Sequence, residues 1–202
     1  MAVTAYSGIR SRLRNAVRDS FDLQWPDAAL DEIIDGAQRE CAIFTGALIG
    51  EIEFTANGRG VYSAPDDFIE PVRFVAADGG DVPVLSWRAL AHDYGDFRHR
   101  TGDRPAAVCF DFEGFGQFRV YPMLPAGAKL GTLYYRRLAE AGKLEMHDTD
   151  AIEEHALYQL FGAERKEQFS NHYDRFLSLV RREARSNLTT CNRRPVRGGL
   201  FY

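Results

Sequence analysis

Pairs of acids are the first residues in this chain that could do chemistry. Hydrolysis of a glycosidic bond needs two carboxylates facing each other across a cleft, and Asp66, Asp67, Glu70, Asp111 and Glu113 are the candidates. They sit beside Pro or Gly in segments that read as turns, where Asp is favoured for local backbone bonding. Turn formation therefore accounts for them without catalysis. Basic residues interleaved with aromatics, Tyr134-Tyr135-Arg136-Arg137, could contact nucleic acid. A sheet with one solvated face accounts for them equally well.

Other chemistries lack their residues. Gly58-Arg59-Gly60 and Gly114-Phe115-Gly116 have neither the full glycine pattern nor the strand-to-helix setting of a nucleotide site, and read as turn glycines. No serine sits in a nucleophile elbow. His92, His99, His147, His155 and His172 are scattered without metal-ligand spacing. Cys41, Cys109 and Cys191 match no metal knuckle or redox pair, which leaves buried or incidental thiols. No catalytic residue, cofactor or metal is expected.

The elements that must position any site come next. At 202 residues, 45% apolar and 27% charged, the chain can bury a sizeable core in one folding unit rather than remain disordered. No apolar run approaches the roughly 18 to 20 residues of a membrane span, and Arg10, Arg12 and Arg14 interrupt any leader-like stretch. Synthesis in a cytoplasm, with no membrane partner, is expected. Net charge is −4, but residues 181–202 carry six arginines against Glu183, leaving the preceding 180 residues at −9. A basic end on an acidic body reads either as an arm that docks on something acidic or as a solvated terminus.

Ile9, Leu13, Ala16, Val17 and Phe21 predict an amphipathic helix over 7–21, with Thr4 or Ser7 as caps. Pro26 opens a second, with Leu30, Ile33, Ile34, Ala37, Cys41, Phe44 and Leu48 on one stripe. From Glu51 the period becomes two, and Asn57-Gly58 predicts a hairpin between Ile52-Phe54 and Val61-Tyr62. Strands over 69–76 and 82–85 flank Asp78-Gly79-Gly80-Asp81, and Ser86 caps a short helix through Tyr94. Residues 103–137 read as a three-stranded antiparallel meander. Asp150 and Glu153 imitate a capping box at the start of the last helical segment. Its two apolar stripes, Ile152-Ala156-Leu160 and Phe169-Tyr173-Phe176-Leu177-Val180, demand a break near 162–166, as one kinked helix or a hairpin. Arg181 to Arg185 then close the helix, and residues from Ser186 onward show no period.

Four phrases in this order carry a resemblance: SAPDDFIEPVRFV (63–75), LSWRALAHDYGDFRHRTGDRPAAV (85–108), FRVYPMLPAGAKLGTLYYRRLA (118–139) and DAIEEHALYQLFGAERKEQFSNHYDRFLSL (150–179). Together they resemble the head-to-tail adaptor proteins of tailed bacteriophages over about residues 30–180. The resemblance implies an α+β fold in which N- and C-terminal helices (1–50 and 150–186) form a bundle. An antiparallel β-rich portion with one short helix (51–149) is inserted between them, and 187–202 forms an extended basic arm. It further implies a non-enzymatic ring, a dodecamer, that joins the portal protein to a tail or nozzle protein at the head-tail junction of the virion. Packaged DNA would pass through without sequence-specific binding. An acidic body suits such a wall, because it does not hold phosphates. Contacts to the portal or a neighbouring subunit are expected from Arg193, Arg194, Arg197, Leu200, Phe201 and Tyr202. The alternative readings are a cell-wall glycan hydrolase and a virion-associated nucleic-acid-binding protein.

Overall fold

The computed structural model describes residues 6–19, 24–110, 116–146, 148–163 and 169–192, with the side chains of 187–192 excepted. In chain order the elements begin α1 (Ser7–Val17), α2 (Asp27–Thr45), β1 (Ile49–Thr55), β2 (Val61–Ser63), β3 (Phe68–Ala76) and β4 (Asp81–Val82). They continue with α3 (Trp87–Asp93), β5 (Ala107–Cys109), β6 (Gln117–Tyr121), β7 (Lys129–Arg137), α4 (Thr149–Ala163) and α5 (Phe169–Asn192). The fold is α+β, and it divides into two compact units, Met1–Leu48 with Leu138–Tyr202, and Ile49–Arg137.

The helical unit is built on the stripes read from the sequence. Leu30, Ile34, Ala37 and Cys41 of α2 pack with Ile9 and Leu13 of α1, Ile152, Ala156 and Leu160 of α4, and Phe176 and Val180 of α5. Ala16 is exposed, so the stripe of α1 is narrower than expected, and Thr4 and Phe21 lie outside the described residues. Tyr6 occupies the position before α1, without a side-chain cap, where Thr4 or Ser7 was expected. α2 starts one residue after Pro26 and stops at Gly46, whose φ of 58° gives the left-handed turn that glycine adopts without a Cβ penalty.

The last helical segment is a hairpin. Tyr158 and Tyr173 lie with ring centroids 4.8 Å apart, His155 and Phe176 4.6 Å apart, and His172 Nδ1 lies 2.7 Å from Glu154 Oε2, so α4 and α5 run antiparallel. Two stripes at different angles therefore belong to two helices. The cap of α4 sits two residues earlier than predicted: Asp148 Oδ1 accepts the Ala151 N–H at 3.2 Å, while Glu153 pairs with Arg12 instead. α5 runs on to Asn192, seven residues past Arg185, where the arginine cluster was expected to close it.

A buried polar cluster pins the chain where it returns from the strands. Tyr6 donates to Asp35 Oδ1 at 2.5 Å, and Gln38 Nε2 donates to Tyr6 Oη at 2.9 Å and to the Lys143 carbonyl at 3.0 Å. Gly142 and Glu145 N–H groups bond Asp35 and Gln38 in turn. Gln38 is fully buried, and these bonds satisfy an amide that would otherwise be costly to bury.

The strand unit differs from the sequence reading in its pairing. One sheet has the order β1-β7-β3-β4, the other β2-β6-β5. The expected 52–62 hairpin does not form. Asn57 Oδ1 does accept the N–H groups of Arg59 and Gly60, at 2.8 and 3.0 Å, but the turn passes the chain from one sheet to the other: β1 pairs with β7 and β2 with β6. The meander is likewise split, with β5 and β6 in one sheet and β7 central to the other, because β2 already occupies the free edge of β6. The β3–β4 hairpin forms across Gly79 as predicted, with Phe74 opposite Val82. The second strand is shorter than expected, since Val84 bridges to Val108 beyond Pro83. Ser86 caps α3, its Oγ accepting the Ala89 N–H at 3.2 Å. Phe74, Val108, Phe118, Val120, Leu130 and Leu133 form the main core, and Leu90, Phe97, Ala107, Cys109 and Tyr121 a second one.

Candidate assembly surface

Of the candidate acids, Asp66, Asp67 and Glu70 lie at the start of β3, and two of these three are committed to partners. Asp67 Oδ1 accepts the Tyr135 hydroxyl at 3.0 Å, and Glu70 pairs with Arg136. Asp66 lines a cleft of about 610 Å³ together with Pro65, Phe68, Ile69, Phe110 and Gln117. Among the described residues it is the only carboxylate that does so, whereas glycoside hydrolysis needs a facing pair. Asp111 and Glu113 lie outside the described residues, as do Gly114 and Phe115.

The Tyr-Tyr-Arg-Arg run is explained by strand alternation. Tyr134 lies on the open face of the larger sheet, opposite Glu51 and Arg73, and the Arg73 guanidinium sits 4.5 Å from its ring centroid. Arg136 follows on the same face against Glu70. Tyr135 points the other way into the core, and burial, with Asp67 beside it, pushes its hydroxyl up to about 12. The aromatics and arginines thus cross-link the sheet to itself.

The surface that stands out is β1. It forms one edge of its sheet, bonded to β7 alone among the described strands. Ile49 is 50% and Ile52 36% exposed, and Glu51 and Glu53, on either side of Ile52, are exposed as well. Sequence reasoning treated this stretch as half of a hairpin and missed it. A signal was present: Ile49 and Ile52 are an odd number of residues apart, so they fall on opposite faces, and a strand with one buried face would not need both. Gly50 is dictated by the neighbour strand, because a Cβ there would meet the Tyr135 ring at 2.6 Å.

The sequence profile of the SU10 adaptor protein family matches residues 4–198. The chain belongs to that family. It is a phage head-tail adaptor, a structural component of the virion that contacts other head or tail components. A search of curated proteins finds no match.

In this adaptor the six residues expected to bind partners, Arg193, Arg194, Arg197, Leu200, Phe201 and Tyr202, follow α5 directly and lie outside the described residues. The histidines take structural places among those described. His155 is buried against Phe176, and burial lowers its pKa; His172 bonds Glu154; His92 and His99 are exposed; His147 lies outside. Cys41 and Cys109 are buried free thiols, and burial raises Cys41 to about 12, which leaves it protonated and unreactive at neutral pH. Among the described residues no cluster of three potential metal ligands occurs, and no helix is long and apolar enough to cross a membrane.

Proposed function

We propose that this adaptor assembles as a dodecameric ring that joins the portal protein to a tail or nozzle protein and continues the DNA channel between them. Residues 193–202 attach each subunit to the portal or to its neighbour through Arg193, Arg194, Arg197, Leu200, Phe201 and Tyr202. DNA passes along the acidic body without sequence-specific binding. The observation that carries this reading is the seven-residue edge strand β1, with exposed isoleucines on both faces. A monomer normally shortens or covers an edge of this length that exposes isoleucines, whereas head-to-tail contacts around a ring would bury it. A glycan hydrolase is the less favoured reading, because Asp67 and Glu70 are each held by a β7 side chain.

Purified adaptor mixed with portal, followed by electron microscopy and sedimentation, tests the proposal. Closed rings on the portal are expected. An adaptor that stays monomeric with portal present, yet cleaves peptidoglycan and loses that activity on Asp66→Asn, would overturn it.

A further inference from the structure

We propose that the outer edge of β1 takes up residues 193–202 of a second copy of this chain as an added strand. The inference rests on the ring reading above and selects the neighbouring subunit, rather than the portal, as the surface the arm binds. β1 is seven residues long without a proline and, among the described strands, is paired on one side only, by β7. The N–H and C=O groups of such an edge are a template for another extended segment.

The side chains say what kind of segment. Glu51 and Glu53 share the open face with Ile49, and Ile52 is exposed on the other. A second β1 is a poor occupant, because antiparallel self-pairing would bring Glu51 and Glu53 against their own copies, and like charges opposite each other destabilise a pair. It would also close a two-fold dimer rather than continue around a ring. A basic strand with apolar residues is complementary on both counts, and residues 193–202 are that: Arg193, Arg194 and Arg197, then Leu200, Phe201 and Tyr202, with no acid. In an extended segment Arg193 and Arg197 fall on one face, flanking Pro195. The proline, having no N–H, fits a position turned away from the ladder. Ten extended residues span about 33 Å against about 23 Å for β1, so the segment covers the strand with length to spare.

The test uses full chains. One set carries Ile52→Cys, the other Val196→Cys, both with Cys191→Ser; Cys41 and Cys109 are buried. The two are mixed with portal rings and treated with a short bifunctional thiol reagent, and ring formation is scored by electron microscopy in the same samples. The expected product is a cross-link between unlike chains, reduced roughly tenfold when Glu51→Arg and Glu53→Arg are added to the first set. It should recover when the second set carries Arg193→Glu, Arg194→Glu and Arg197→Glu. Rings that form while the cross-link is absent, confined to single chains or indifferent to the charge exchange would overturn the strand addition and leave the ring standing. Failure of unmodified chains to form rings on the portal would remove the ring reading, and this inference with it.

Discussion

The Tyr135 hydroxyl donates to Asp67 Oδ1 across 3.0 Å, which ties the central strand of the larger sheet to the turn ahead of β3. Burial first, and the Asp67 carboxylate second, hold this tyrosine neutral up to about 12. Its folded pKa thus lies above the unfolded value of about 10, so its contribution is complete below that pH and is lost as pH rises through the folded value. Tyr135→Phe should cost about 1 to 2 kcal/mol at neutral pH and flatten the loss of stability in the alkaline range. Urea unfolding at neutral and alkaline pH measures both, and a variant as stable as the parent at neutral pH would show that the bond contributes nothing.

Gly131→Ala should be among the most damaging single changes in the strand unit. Gly131 has φ of 148°, and a Cβ there would run into the Val75 carbonyl oxygen and lie 2.9 Å from Ala76 Cα. Both obstacles are backbone of the paired strand, so neither can swing away. A loss of about 3 kcal/mol or more is expected, read as a lower denaturation midpoint. A midpoint within error of the parent would mean that β7 and β3 separate freely at this position.

His155 should make the helical unit acid-sensitive. It is 5% exposed against Phe176, and burial lowers its pKa, because the charged ring is poorly solvated there. The unfolded state therefore binds the proton more readily. The stabilising contribution of the neutral ring is full above about pH 6.5 and is lost as pH falls toward the folded value. Melting followed by far-ultraviolet circular dichroism from neutral to mildly acidic pH should show a falling midpoint, less steep in His155→Phe. Parallel curves for the two proteins would remove His155 as the cause.

Deleting residues 193–202 should leave the melting of the subunit within about 2 °C of the parent while strongly weakening the closure of rings between neighbouring subunits on the portal. Ordering ten residues costs roughly 1 to 2 kcal/mol each for the backbone, so charge contacts at a wet surface would not suffice. Burial of Leu200, Phe201 and Tyr202, at about 1.5 to 3 kcal/mol apiece, has to add to strand pairing. Closed rings on the portal in undiminished yield at both low and moderate salt would reduce the segment to a solvated terminus.

Which residues share a face is written in this sequence; which strands share a sheet is not. The Leu30, Ile34, Ala37 and Cys41 stripe, the Ser86 cap and the turn at Gly79 follow from spacing and local bonding, and all three stand in the structure. The pairing of Glu51 with Tyr134 leaves no local mark, since alternation specifies a face and not a neighbour. The Asn57 turn misled for the same reason: its side-chain bonds are those of a hairpin turn, but the destination of the next strand is set by the Val120 N–H that bonds the Gly60 carbonyl at 2.8 Å. The basic arm is legible as charge. The edge position of β1 is marked only by the odd spacing of Ile49 and Ile52, which a hairpin reading of Ile52 and Phe54 leaves out.

The central place of β7 also dictates when the protein can fold during synthesis. β1 and β3 both bond to β7 and not to each other, so, although β3 can pair early with β4, neither β1 nor β3 acquires β7 until the ribosome has released the chain past Arg137. The α1 and α2 stripes wait longer still, because Ile152, Ala156, Leu160 and Phe176, which complete their core, are translated last. The nascent chain must therefore carry uncovered apolar helices through most of its elongation, a period in which neighbouring chains on one polysome can aggregate and chaperones have work to do. Its pairings are also long-range, which slows closure after release. Production in a heterologous host should accordingly respond more to slowed translation and added chaperones than to changes in the surface of the finished fold.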